Sequence, residues 1–318
     1  EIAEYSAVAA NEEYIKDRAE LVYNTRNAYW SLYKAVQLKK VFDETLEMVK
    51  AHLDDAKNLE KAGLITRNDI LRFEVQYSDA KYKQAEAENA VQISAVYLNS
   101  IIGIPLSSSL EIKSEINLSI KEFEELSKLV NEASEKRPEL KAAALRVRAS
   151  ESAVSMAKSS WYPQIGMFAN FYYSKPNQRI FPAQNKFNDT WDAGVSLNIN
   201  VWDWLSTSFQ TQQAEAQYSQ ANDAVSIIKD AITLEVTQNY LTLNQAKKKI
   251  ELARQSVEQS GENLRVTSSK FKNGLATPSD LIDAETSLTN AKFNYTVSMV
   301  DYELSKAKLD KSIAKEVL

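Results

Sequence analysis

The residues that could carry out chemistry are few. His52 is the only histidine in 318 residues, and the chain has no cysteine, so neither a Ser/His triad nor the usual zinc sites can be assembled. No glycine-rich phosphate loop occurs in the sequence. The carboxylates stand among lysines on predicted helix faces, which is typical of solvated surface, and His52 is expected to be solvated too, among Lys50, Asp54 and Asp55. The sequence therefore predicts no enzyme, no metal site and no cofactor.

The composition excludes further classes and favours long elements. A net charge of −5 offers no footprint for nucleic acid, and without a run of about 18 apolar residues no transmembrane helix is predicted. Glycine and proline number six each, which is about a third of their usual share. So few turn-forming residues imply long helices. A helical pattern begins at residue 1, which we interpret as a mature or trimmed start.

An internal duplication organises the chain. A gapless shift of 211 residues places Lys61–Asp69 (KAGLITRND) on Lys272–Asp280 (KNGLATPSD). Each copy predicts a long helix, a tight turn and a second helix. Between Val225 and Val257 the apolar residues step by three and four, the spacing of a coiled-coil seam. The helix from about Ser206 to Phe271 would be on the order of 100 Å long.

The turn of each copy carries its own stop and start signals. Gly63 is predicted to adopt the left-handed conformation that ends a helix. Thr66 then serves as N-cap, and Asp69, three residues later, completes a capping box. The second copy repeats the arrangement at Gly274, Thr277 and Asp280.

Residues 161–204 break the helical pattern. Alternation of apolar and polar residues predicts two strands, 164–173 and 191–202, joined by a polar loop. Strands of this length with one apolar and one polar face are typical of outer-membrane barrels with a wet lumen, and aromatic residues at both ends match interfacial girdles. A soluble hairpin packed on a core is the alternative. The predicted lipid-facing residues are Ile165, Met167, Phe171, Trp191, Val195, Leu197, Ile199 and Val201.

The number of predicted strands determines how such a sheet could close. A sheet that spans a bilayer must be closed, and the smallest closed barrels have about eight strands. The duplication implies a second hairpin ahead of residue 1, which gives four strands per complete chain. Several subunits must therefore build the barrel together.

The duplication, the hairpin of residues 163–202 and the two K-x-G-L-x-T-x-x-D turns together resemble the TolC-like outer-membrane efflux family. The resemblance implies a mainly α fold with a small β part: duplicated coiled-coil hairpins forming a tunnel, plus a β-hairpin contributing to an oligomeric transmembrane barrel. It implies a homotrimer in the outer membrane of a Gram-negative bacterium, with a large periplasmic part. Such a protein is a passive exit duct for tripartite efflux or type I secretion.

The implied partners are outer-membrane lipid, a periplasmic adaptor and an inner-membrane pump. The rival hypothesis is a periplasmic helical adaptor or scaffold, although the chain has few glycines for the lipoyl-like domain that adaptors carry. The resemblance divides the chain into a first helical hairpin (1–104), an equatorial-type segment (105–137), a helix (138–160), a transmembrane hairpin (161–205) and a second helical hairpin (206–318).

The resemblance also implies functional residues. The turn tips Gly63, Leu64, Gly274 and Leu275 would contact the adaptor. Asp280 and Asp283 match paired aspartate rings at the pore constriction, where like charges in a trimer would confer cation selectivity and raise the carboxylate pKa values.

Asp69 matches a residue of the network that closes the pore. Where some members carry a Tyr and an Arg that bridge to this Asp, the present chain has Phe271 and Ala276, and Arg67 is the candidate substitute. The alternative role of Asp69 is capping alone, whereas Asp280 can both cap its helix and line the pore.

Overall fold

The computed structural model describes residues 1–112 and 124–315. Within them the chain is mainly helical with one small sheet, as predicted, and no helix there combines the length and apolar character needed to cross a membrane. The elements are α1 (Ile2–Lys61), α2 (Arg67–Ile102), α3 (Leu126–Lys136), α4 (Pro138–Ser159), β1 (Gln164–Ser174), β2 (Asn188–Asn198), α5 (Ser206–Lys272) and α6 (Pro278–Ser312).

The ends of the helices lie at equivalent positions in the two copies of the repeat. The 211-residue shift carries the end of α1 at Lys61 onto the end of α5 at Lys272, and the start of α2 at Arg67 onto the start of α6 at Pro278. The predicted α5 is confirmed to within one residue. Its seam also faces inward, because apolar side chains at the three-and-four spacing are buried: Ile232, Val236, Leu243, Ala246 and Ile250.

The chain forms two compact units. One contains Glu1–Glu13 and Glu139–Ile228, and the other contains Tyr14–Pro138 and Lys229–Leu318. In the second unit, buried side chains from α1, α2, α5 and α6 pack together close to the two turns, and we call this set the turn core: Leu53, Ala56, Ile70, Phe73, Leu264, Phe271, Leu281 and Ala284. The bounds of the five segments predicted from the sequence follow the repeat and not these two compact units. That division of the chain stays a prediction.

The equatorial-type segment is only partly described. Its sequence predicts a strand over residues 110–116 and a short amphipathic helix. The helix is confirmed as α3. Leu110, Glu111 and Ile112 form no strand, and the remainder of that prediction lies outside the described residues. Arg137, just after α3, is buried, forms an ion pair with Glu235 (2.9 Å) and donates to the carbonyl of Ser312 (3.1 Å). A buried guanidinium that is paired in this way fixes the connection from α3 to α4.

The two strands form an antiparallel hairpin. The first strand is confirmed, but the predicted bounds of the second, 191–202, are wrong, since β2 runs from Asn188 to Asn198. At the loop end the buried Asn177 donates to the carbonyl of Asn188 and to Thr190, which extends the pairing. At the other end the ladder stops because Pro163, just before β1, has no N–H to donate. Ile199 and Val201 therefore lie beyond the strand.

Candidate functional site

The two turns close in the same way. Gly63 and Gly274 have φ angles of 72° and 71°, the left-handed conformation that a residue without Cβ adopts at little cost. The N–H of Leu64 then donates to Leu59 O (2.9 Å), and that of Leu275 to Lys270 O (2.8 Å), the six-to-one bond of a Schellman motif. Both leucines point outward, 70% and 78% exposed. The turns therefore present one apolar side chain each to the surroundings.

A complete capping box follows each turn, as predicted. Thr66 N donates to Asp69 Oδ2 (2.9 Å) while Asp69 N donates to Thr66 Oγ1 (3.3 Å); the corresponding distances at Thr277 and Asp280 are 2.8 and 3.2 Å. Within one chain these bonds lower the pKa of Asp69, chiefly through the backbone N–H of Thr66, and the pKa of Asp280, chiefly through the Thr277 hydroxyl. Both carboxylates therefore act first as helix caps.

Replacing Thr277 with alanine should remove one half of its capping box and cost about 1 kcal/mol of local stability. The cap lowers the pKa of Asp280 below its ordinary value of 3.8. The stability that the cap contributes is therefore present above pH 3.8 and is lost as the pH falls through the lowered pKa. Hydrogen exchange of the first turns of α6 measures the loss. Thr242→Ala is the matched control, since the hydroxyl of this exposed threonine donates to Gln238 O within its own helix; an equal loss in the control would contradict the capping role.

Asp283 lies one turn beyond Asp280, is exposed and takes no part in the cap. It lines a groove of about 430 Å³ between the first turns of α2 and α6, whose other lining residues are Asn68, Leu71, Arg72, Val75, Gln76, Ser279 and Ile282. Arg72 crosses this groove and donates to Ser279 Oγ (2.6 Å). The groove therefore contains a cationic side chain, that of Arg72, beside the predicted anionic residue Asp283. The sequence analysis did not predict Arg72 at this site. The sequence contained a signal for Arg72, because the 211-residue shift aligns it with Asp283, so that the two residues occupy equivalent positions in the two copies.

Three residues at or beside the positions where this chain differs from the family that it resembles have structural roles: Phe271, Ala276 and Arg67. Phe271 is 4% exposed and its ring centroid lies 5.8 Å from that of Phe73 in the turn core. Ala276 packs against the same core. Arg67, the candidate substitute, pairs with Glu74 (3.6 Å) rather than with Asp69. In this chain apolar packing thus occupies the two positions where the resemblance places a Tyr and an Arg in some members.

The expectation that His52 is solvated is wrong. Its Nδ1 contacts the carboxylate of Glu285, which is completely buried, and its Nε2 lies 3.4 Å from Ser268 Oγ. The residues next to His52 in the sequence are charged, but its own side chain points toward α6 and α5. A contact between residues 233 positions apart leaves no trace in local sequence, which explains the error.

In the hairpin, the strand register puts the predicted apolar residues opposite one another. Ile165 faces Leu197, Met167 faces Val195, and Phe171 faces Trp191. All six are between 62% and 85% exposed. The other face carries the polar pair Asn170 with Asp192, Ser196 opposite Gly166, and Phe168 opposite Gly194. One face of the hairpin is thus a continuous apolar surface with no covering element in its own chain among the described residues.

The model of the family described as "Outer membrane efflux protein" matches residues 129–313, more than half of the chain. The chain belongs to this family. Membership confirms the predicted family and, with it, the predicted function as an outer-membrane exit duct and the predicted location.

Individual relatives of this outer membrane efflux protein are distant but extensive. The outer membrane protein TolC of Vibrio cholerae is 23% identical over 98% of this chain and 71% of its own length. Its Escherichia coli counterpart is 19% identical over 97% and 66%. The Campylobacter jejuni CmeC outer membrane channel, a crystal structure, superposes with a TM-score of 0.84 at 13% identity, over 98% of this chain and 66% of that one. The chain thus spans about two thirds of these relatives and has the fold of the solved channel.

Proposed function

We propose that the complete protein is a homotrimeric, passive exit duct. Three copies would contribute their β-hairpins to one closed barrel in the outer membrane, and the helical hairpins of the second unit would form a periplasmic tunnel. An inner-membrane pump would supply the energy, and a periplasmic adaptor would connect that pump to the duct. The observation that carries the proposal is the exposed apolar face of the hairpin.

Lipid is the environment that suits this face. The paired residues Met167 and Val195, at mid-strand, are 85% and 66% exposed, and the removal of such an apolar surface from water is favourable. On the reverse face the carboxylate of Asp192 accepts hydrogen bonds from Asn170 on the neighbouring strand and from Arg179 in the loop between the strands. Such charged groups are tolerated where they line an aqueous lumen rather than hydrocarbon.

The turn tips are suited to binding an adaptor. Leu64 and Leu275 are exposed apolar side chains, each held on a rigid Schellman turn. The groove beside them offers apolar walls from Leu71, Val75 and Ile282 together with the charges of Arg72 and Asp283. An amphipathic helix placed in this groove would bury the apolar walls and satisfy the charges at the rim.

Asp283 is the stronger candidate for a charged ring in the pore. Both residues are exposed, but the carboxylate of Asp280 is engaged in its cap, whereas that of Asp283 takes no part in the cap. Three copies around a narrow opening would favour cations over anions. The rival adaptor hypothesis offers no role for the bare apolar face of the hairpin.

The test is reconstitution of the complete gene product from outer membranes into planar lipid bilayers. We expect heat-resistant trimers that require detergent for extraction and a cation-selective conductance. Asp283→Asn should lower the cation-to-anion permeability ratio severalfold, because it removes one negative charge from every subunit of the ring. Asp79→Asn, an exposed carboxylate on α2 paired with Lys83 (2.8 Å), is the control and should leave the ratio unchanged. A water-soluble monomer without conductance would refute the duct.

A further inference from the structure

The only histidine of this sequence joins the two helical hairpins. His52 lies on α1, in the first copy of the repeat, and Glu285 lies on α6, in the second. Their side chains are in direct contact, through Nδ1 and Oε1, at 14% and 0% side-chain exposure. Ser268 on α5 approaches the other ring nitrogen. The contact therefore sits inside the helical packing rather than on its surface.

The carboxylate of Glu285 depends on this one partner. Its second oxygen, Oε2, is buried and makes no hydrogen bond within residues 1–112 and 124–315. A buried carboxylate costs several kcal/mol unless an opposite charge or a proton compensates it. His52 is the group in contact with Glu285 that can provide either one.

The other charged groups nearby are occupied elsewhere or exposed. On α1, Asp55 pairs with Lys272 of α5 (3.5 Å), and Glu44 pairs with Lys292 of α6 (2.6 Å). On α5, Glu262 and Arg265 pair with each other in solvent. Asp283 of α6 is exposed and lines the groove. From α2, Phe73 and Tyr77 pack in the turn core, and Gln76 donates to Thr286, the residue next to Glu285.

The number of protons on the pair decides whether the packed pair carries a net charge. The pair is electrically neutral only when it holds one proton beyond neutral imidazole and carboxylate, as an imidazolium with a carboxylate or as an imidazole with a carboxylic acid. Separated and in water, an imidazole keeps such a proton only below about pH 6.5. Separation above that pH therefore releases a proton, so raising the pH favours the separated state.

From this geometry we propose that His52 and Glu285 form a proton-dependent clamp between the two helical hairpins. The clamp holds in mild acid and loosens as the pH rises above neutral. It acts on the same pair of helices as the contact of Thr45 with Thr289 (3.3 Å) and the ion pair of Lys292 with Glu44. Its consequence for the channel, a tighter tunnel in acid, rests on the proposed function.

Spin labels on α1 and α6 of the complete protein test the clamp. Ala51→Cys and Asn290→Cys are exposed positions on these helices, and this sequence has no other cysteine. Electron–electron distance measurements at pH 5.5 and pH 8.5, with labelled chains diluted among unlabelled ones, report pairs within one chain. We expect the ratio of separated to packed helices to rise with pH, by up to about tenfold per unit above neutrality, the limit for release of one proton.

Variants in the same labelled background test whether the pH-dependent distance is caused by His52 and Glu285. Glu285→Gln removes the compensating charge, so acid should no longer favour the packed state. The double variant His52→Phe with Glu285→Leu replaces both groups by apolar ones, which often pack as well as a buried ion pair, and should show a distance that does not change with pH. Glu74→Gln is the matched control, because the 211-residue shift places Glu74 on Glu285, yet Glu74 is paired with Arg67 at the surface; it should keep the wild-type response.

A wild-type distance that does not change with pH, or a response that persists in the double variant, would overturn the clamp. Should Glu285→Gln fail to assemble, the double variant decides alone. The readout does not depend on conductance. A pH-dependent distance in a protein that conducts no ions would support the clamp and refute the duct, and a conducting trimer with a fixed distance would do the reverse.

Discussion

Lysine at Val195 is expected to abolish assembly in the outer membrane, whereas lysine at the neighbouring Ser196 is tolerated. The two positions are adjacent on β2 and face opposite sides of the sheet, Val195 opposite Met167 and Ser196 opposite Gly166. A lysine on the lipid side of a barrel costs about 2–4 kcal/mol at the bilayer midplane, and a trimer would incur that cost three times. On the polar side the ammonium group would remain in water.

The measurement is the amount of heat-resistant trimer in outer-membrane fractions of cells producing each variant from the complete gene. We expect little or no trimer for Val195→Lys and near wild-type amounts for Ser196→Lys. Val195→Leu, which keeps the face apolar, separates loss of burial from loss of shape. If both lysine variants assembled equally well, the apolar row would not be in contact with lipid.

Truncation of Phe73 to alanine should destabilise the helical end that carries the turns by about 3–5 kcal/mol. The ring is 0% exposed and packs against Phe271 inside the turn core. Four helices meet around this core, so the cavity cannot be filled by the shift of a single side chain. The free energy of local opening, from hydrogen exchange of peptides over residues 48–81 in the purified protein, reports the loss.

A matched apolar residue outside the core provides the control. Leu64 is 70% exposed at the turn tip, and its replacement by alanine should change the same opening free energy by less than about 0.5 kcal/mol. Phe73→Leu, which leaves a smaller cavity, should fall between the two. A cost below about 1 kcal/mol for Phe73→Ala would mean that the turn core does not hold the four helices together.

The turns are the part of the candidate site that local sequence fully predicts. Gly63, Thr66 and Asp69 interact through bonds that span three to five residues, so the type and spacing of these residues determine the geometry. The same reasoning holds for the copies at Gly274, Thr277 and Asp280, and the structure agrees at each of them. The alternation on the two strands similarly determines which side chains share a face.

The prediction of β2 shows where local reasoning fails. Its pattern continues to Val201, but the strand ends at Asn198, which pairs with Gln164, the first residue of β1; Pro163, just before it, has no N–H to extend the ladder. Pairing requires two strands, so the sequence of one strand also limits how far the other can extend.

By itself, the sequence determined the duplication, the helices, the capped turns, the two faces of the hairpin and the resemblance to the family, because short-range bonds and periodic burial leave their pattern along the chain. Only the tertiary structure decided that His52 reaches the buried Glu285, that Arg72 crosses to Ser279, and that Phe271 fills the turn core. These contacts join residues about 200 positions apart, and the free energy that selects them comes from the packing of helices, not from the order of neighbouring residues.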